Sequence, residues 1–356
     1  MSLTSQIKSP TSPFMRFAAV ELPNSAAVTA LKDGIHRRKI AAAASHDGKR
    51  PDWPLIGTSI DFRLRLAFSH TAPVPECAQR GYRGLARMAR PGGCETLLSD
   101  LAAAITKLLA QGPPPGAAAD AIHSESAEVE LIRLCAVAAQ LDQLYRNPLL
   151  IEKTVLLDDE RRIVTLDRAV EQISWFVVDQ IRDQVHLSGT GLAPVRSQFM
   201  QALPGPTFAG SDLIGGADAD LLVDDLLLDF KSTHEATTIA RRDVYQLAGY
   251  VLLDFDDVHE IRRVGVYWTR HSVLRILSTD TFFELLGARK PVDQLRSELR
   301  SLLGEDRAAR QLALRKQIPA ATSTDPAPQP APVPVAPVRP GRIRAAIRTV
   351  RSALHR

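Results

Sequence analysis

Apolar positions recur along this chain at two periods, and the change from one to the other marks its most informative segment. Residues 14–110 carry helical spacing, broken at the Pro-containing stretches near 51–54, 73–75 and 91–93. Within them, Ile60 to Phe68 mixes apolar and basic residues, and Asp61, Arg63 and Arg65 read as an exposed ion-pair face. Residues 112–119 (GPPPGAAA) form a linker or long loop. A helix is predicted over about 125–145, with Ser124 or Ser126 near its start and Leu131, Leu134, Ala138 and Leu141 on one side. Another is predicted over about 167–187, with Asp167 as N-cap and Ile173, Val177 and Ile181 along its apolar face. Residues 217–231 then switch to strand-like patterning, and 240–255 return to helix. Two more strands follow at 261–268 and 273–278, and 279–317 are helical again.

The segment 217–233 reads ADADLLVDDLLLDFKST, with Asp224-Asp225 as the only polar break between two apolar runs. A two-residue turn there pairs Val223 with Leu226. Each step outward then sets Asp220 opposite Asp229 and Asp218 opposite Lys231. Side chains alternate faces along a strand, so Asp218, Asp220, Leu222, Leu227, Asp229 and Lys231 share one face. Ala219, Leu221, Val223, Leu226, Leu228 and Phe230 share the other. Facing aspartates repel, and a divalent cation such as Mg²⁺ or Mn²⁺ between their hard oxygens relieves that. Lys231 on the same face can hold an attacking water or meet charge developing on a phosphate. The bland alternative is a hairpin with one solvated face, on which Lys231 only offsets nearby acids.

These residues resemble the PD-(D/E)XK nuclease superfamily, in particular its RecB-like branch. Asp220 matches the first acid, Asp229-Phe230-Lys231 the second element, and Gln246-Leu247-Ala248-Gly249-Tyr250 the Gln-x-x-x-Tyr element on the following helix. Gly215-Gly216 is similar to the usual lead-in, and the likeness covers about residues 207–270. It implies an α/β fold: a restriction-endonuclease-like mixed β-sheet core flanked by helices, with extra N-terminal helices. It implies a Mg²⁺-dependent phosphodiesterase acting on nucleic acid, DNA rather than RNA, with Asp220 and Asp229 as metal ligands and Lys231 assisting the water. Gln246, Tyr250 and Asp218 would support the site. Many relatives add a helical Glu, for which Glu171 is the best candidate here, with Glu128 and Glu130 behind it. Arg241 and Arg242, at the start of the Gln246 helix, are candidate phosphate contacts.

Composition narrows the alternatives. Three widely separated cysteines (Cys77, Cys94, Cys135) argue against structural zinc, an iron–sulfur cluster and a disulfide framework. With no signal pattern and no long apolar run, the expected location is cytoplasmic. No GxxxxGK[ST], HExxH or G-x-S-x-G motif is present. Residues 1–13, polar and rich in Ser, Thr and Pro, read as a disordered N-terminus. A single domain is expected over 14–317, with helical additions at 14–187 and the motif-bearing core at 188–317. A Pro/Ala-rich linker (318–341) and a basic amphipathic tail (342–356) would follow. Six arginines lie in 339–356, which leaves 38 Lys and Arg against 40 acids elsewhere, so nucleic-acid contact by the body needs a local basic patch. The tail suits nucleic acid, an anionic membrane or a partner protein. A non-catalytic nuclease-fold protein working through that tail is the alternative to an enzyme.

Overall fold

The computed structural model describes residues 2–32, 51–117, 124–152, 154–234 and 239–317. The chain divides into two units, Met1–Ala309 and Arg310–Arg356, and of the second only the end of the last helix is described. The expected linker and basic tail lie outside the described residues. In chain order the first unit begins with α1 (Leu3–Lys8), α2 (Pro13–Glu21), α3 (Ala26–Lys32), α4 (Trp53–Arg65), α5 (Glu76–Met88) and α6 (Leu97–Gln111). It continues with α7 (Glu125–Arg146), α8 (Leu166–Glu171), α9 (Trp175–Gly191) and α10 (Ala193–Arg196). The strands β1 (Ala202–Pro204), β2 (Leu221–Val223) and β3 (Leu226–Lys231) follow, then α11 (Arg241–Leu253), β4 (Arg263–Trp268) and β5 (Val273–Ser278). Helices α12 (Thr279–Leu285) and α13 (Val292–Gln317) complete the described chain.

The five strands form one mixed sheet in the order β1-β2-β3-β4-β5, antiparallel except for the β3–β4 pair. Parallel neighbours need a long crossover, and α11 supplies it. Helices cover both faces. Leu221, Val223, Leu226, Leu228 and Phe230 join the apolar residues of α4–α9, while Leu222, Leu227, Val264 and Val266 join those of α1–α3 and α11–α13. The result is three layers, helix–sheet–helix, with apolar side chains on both sheet faces. On the hairpin face that could have been solvated, Leu222, Leu227 and Asp229 are buried, while Asp218, Asp220 and Lys231 are half-buried. Ala219, expected with the first group, joins the second, because the chain leaves the ladder before reaching it. No helix among the described residues is long and apolar enough to cross a membrane.

Four sequence expectations are corrected. The N-terminus expected to be disordered over 1–13 is ordered from residue 2 on: α1 is capped by Ser2, Leu3 is 2% exposed, and the Gln6 side chain accepts from the Phe14 amide. Leu3 seats directly on Gly249 of α11, where any Cβ would meet it. The single helix over 167–187 is two, α8 capped by the Thr165 hydroxyl and α9 capped by Ser174, with Asp167 inside the first turn. Two hydroxyl caps define two starts, and each satisfies amides that a continuous helix would leave to its own carbonyls. The helical region 279–317 is likewise broken, at Gly287 (φ +85°) before Pro291. Finally, Arg63 and Arg65 are buried, because α4 lies between α7 and α9, so each guanidinium has a carboxylate partner. Arg63 is bidentate to Glu128 at 2.8 and 2.6 Å.

Candidate active site

The β2–β3 hairpin folds in the register its sequence dictates: Leu221↔Leu228, Leu222↔Leu227 and Val223↔Leu226. Asp224 takes a positive φ of +50° at the turn, a conformation that Asp tolerates better than most residues. Its carboxylate also accepts the Met200 and Gln201 amides at 3.0 Å, which fastens β1 to the hairpin. At the open end the ladder gives way to side chains. Asp220 Oδ2 accepts the Phe230 amide at 2.7 Å, locking that carboxylate against β3. Asp229 is 3% exposed and Lys231 Nζ lies 2.9 Å from its Oδ2. Asp243, in the first turn of α11, is the second carboxylate on Lys231, at 3.5 Å.

Asp220, Asp229 and Lys231 line one cleft of about 230 Å³ together with Asp218, Gln246 and Tyr250. Gln246 Nε2 donates to the Tyr250 hydroxyl at 2.7 Å, as i,i+4 neighbours on α11 can. Gly215 (φ +76°) and Gly216 (φ +123°) turn the chain into the first acidic residues, in a conformation that requires glycine at 216. Asp218 lines the cleft but does not face Lys231. It forms an isolated bridge with Thr207 and pairs with Arg146 of α7 at 3.1 Å, because β2 proper starts only at Leu221.

Sequence reasoning missed two further carboxylates of this cleft, Asp61 and Asp142. Asp61 on α4 reaches the same cleft, as does Arg65 one turn later. Arg65 is 5% exposed, forks onto both oxygens of Asp61, and lies 3.2 Å from Asp220 Oδ1. The only signal in the sequence was two basic residues and an acid inside an otherwise apolar helix.

Other expected residues stand elsewhere. Glu171 is exposed at the end of α8 and does not line the cleft. Glu128 is consumed by Arg63, and Glu130 is exposed. Arg241 donates to the carbonyls of Leu22 and Pro23 and stacks over Tyr245, so it ties α11 to the α2–α3 connection rather than facing the cleft. The side chain of Arg242 is 73% exposed, beside Asp243.

Burial and mutual repulsion set the protonation of the cleft. Burial, aided by Asp220 and Asp229 and opposed by Arg65, pushes Asp61 up to about 8. Burial, with Asp220 adding repulsion and Lys231 opposing it, pushes Asp229 up to about 7. For Lys231, burial alone would favour the neutral amine, but Asp229 and Asp243 outweigh it and hold the ammonium well above its ordinary range. Burial and the surrounding carboxylates also keep the Tyr250 phenol protonated. The cleft therefore holds five aspartates against three cations, Arg65, Arg146 and Lys231.

That excess has a stability consequence. Asp61 and Asp229 titrate above the roughly 3.9 of an unfolded aspartate, so their contribution to stability is present below about pH 4. It is lost as pH rises through the folded values of about 8 and about 7. Thermal melts in EDTA between about pH 5 and pH 8.5 should show wild type losing stability relative to the double variant Asp61→Asn/Asp229→Asn. Parallel profiles would contradict this charge assignment.

Among the described residues, no three His, Cys, Asp or Glu side chains stand as a ready-made metal group. The donor chemistry nevertheless suits a hard divalent ion: Asp61, Asp220 and Asp229 share one cleft, and burial with mutual repulsion pushes Asp61 and Asp229 up. Comparison with protein-family models, curated proteins and solved structures finds no match to this chain.

Proposed function

We propose that this chain is a metal-dependent nuclease of the PD-(D/E)XK type, hydrolysing phosphodiester bonds in DNA on a restriction-endonuclease-like core. The observation that carries the reading is the meeting of Asp61, Asp220 and Asp229 with Lys231 in one cleft. Asp220 and Asp229, with Asp61, would hold Mg²⁺ or Mn²⁺. When bound, the ion supplies Lewis-acid polarisation of the phosphate and of water. Asp220 is fixed for this by the Phe230 amide, so its orientation does not depend on a ligand. Lys231 stays an ammonium, which excludes it as a proton acceptor and makes it a donor to the attacking water or to a phosphate oxygen. The protonated Tyr250 hydroxyl, held by Gln246, is a second donor toward the phosphate.

Arg65 favours one competing reading. Its guanidinium already offsets Asp61 and Asp220, as it would in a nuclease fold that binds nucleic acid without cutting it. Mn²⁺ binding by calorimetry separates the two. The catalytic reading expects saturable binding, abolished by Asp229→Asn and weakened about 10–100-fold by Asp61→Asn, as for groups that support a metal site. Glu171→Ala should bind Mn²⁺ like wild type. If wild type takes up no Mn²⁺, Arg65 is the site's permanent cation and the catalytic reading fails.

A further inference from the structure

Beside the acidic cleft lies a second one of about 530 Å³, and the two share walls at Phe62, Arg65, Gly216, Ala217 and Asp218. The aromatic stack of Phe208 on Tyr250, 5.6 Å between centroids, joins them again: Phe208 lines the second cleft and Tyr250 the first. Their sizes differ in a useful way. Pockets for organic ligands run to roughly 300–1,000 Å³, so the acidic cleft of about 230 Å³ suits a phosphodiester group and ions, not a nucleoside. The second cleft falls within the range.

Its lining points to a flat, largely uncharged occupant. Arg65 and Arg80 are matched by Glu76, Asp212 and Asp218, so there is no surplus of positive charge for a phosphate. Tyr145 of α7 is 38% exposed at the edge, with the Arg80 guanidinium 5.8 Å from its ring centroid and donating to its hydroxyl at 3.3 Å. An exposed ring backed by a guanidinium is a stacking platform for a base.

We propose that the second cleft receives an unpaired nucleobase from the strand whose phosphate lies at Asp220 and Asp229, which makes single-stranded or frayed DNA the preferred substrate. The proposal rests on the nuclease reading of the acidic cleft. A base inside a duplex cannot enter such a cleft without leaving its stack, so duplex DNA bears an unstacking cost that single strands do not.

The test uses the full chain in EDTA, with a single-stranded DNA oligonucleotide carrying 2-aminopurine and a blunt duplex of the same sequence. Wild type should bind the single strand more tightly than the duplex and quench the 2-aminopurine. Tyr145→Ala should weaken single-strand binding about tenfold, the usual scale for loss of one stacked base. Tyr145→Phe, which keeps the ring, should retain the affinity, and Arg80→Ala should lose part of it. If folded Tyr145→Ala and Arg80→Ala both bind the single strand as wild type does, the subsite is overturned. Mn²⁺-dependent cleavage by wild type judges the nuclease reading separately. Cleavage without any Tyr145 effect removes the subsite alone, whereas neither cleavage nor binding removes both.

Discussion

Lys231→Ala should lower the rate of Mn²⁺-supported DNA cleavage by about 10²–10³-fold in single-turnover assays, the range for removing one preorganised charged donor. The loss should fall on kcat. Lys231 sits 2.9 Å from Asp229 and 3.5 Å from Asp243, so its removal leaves the buried Asp229 and the half-buried Asp243 without it. That makes the cleft more negative, and Mn²⁺ affinity should hold or rise while turnover collapses. The split distinguishes a donor to the reacting phosphate or water from a counter-ion whose only task is to neutralise acids. If Lys231→Ala altered metal affinity alone and left the rate within about twofold, the donor role would be wrong.

The largest expected stability effect lies away from the chemistry, where α5 crosses α7. A Cβ at Gly81 would stand 1.8 Å from the Leu141 carbonyl oxygen, so the two backbones touch with no room for a side chain. Gly81→Ala must push the helices apart, and neither partner is a flexible side chain that could yield. The expected cost is about 3 kcal/mol or more, at the upper end for overpacking, and a Tm lower by about 5–10 °C. Gly84 provides the control on the same helix, since a Cβ there meets nothing within 4 Å. Gly84→Ala should stabilise by about 0.5–1 kcal/mol through helix propensity. Opposite signs for one substitution three residues apart would establish the close α5–α7 approach, and equal effects would refute it. The spacing matters for function because α5 carries Arg80 while α7 carries Tyr145 and Arg146, which flank the two clefts.

The hairpin was legible because its period is two and its polar break is short: once the turn is placed, the three pairs from Val223↔Leu226 to Leu221↔Leu228 follow as observed, whereas the expected pairing of Asp218 with Lys231 beyond them does not form. The Gln246–Tyr250 pair was legible for a similar local reason, a fixed i,i+4 spacing on a helix. Asp61 and Arg65 were not. Arg65 meets Asp220, 155 residues beyond it, and local periodicity carries no information about a partner at that distance. The same holds for Asp218, whose expected partner Lys231 is replaced by Arg146 from a helix 72 residues earlier. Strand β1 was missed because three residues are too few to show alternation, and its position is set by the Asp224 carboxylate. What sequence supplied was the local chemistry. What it withheld was which distant charges would be folded against that chemistry.

Whether Asp229 and its neighbours form a metal-dependent cutting site is decided by one cleavage assay. Plasmid, linear duplex and single-stranded DNA are incubated with wild type or Asp229→Asn, in Mn²⁺ or in EDTA. Wild type should cleave in Mn²⁺ only, and the variant should not cleave. Wild type and Asp229→Asn behaving alike on all three substrates would contradict it.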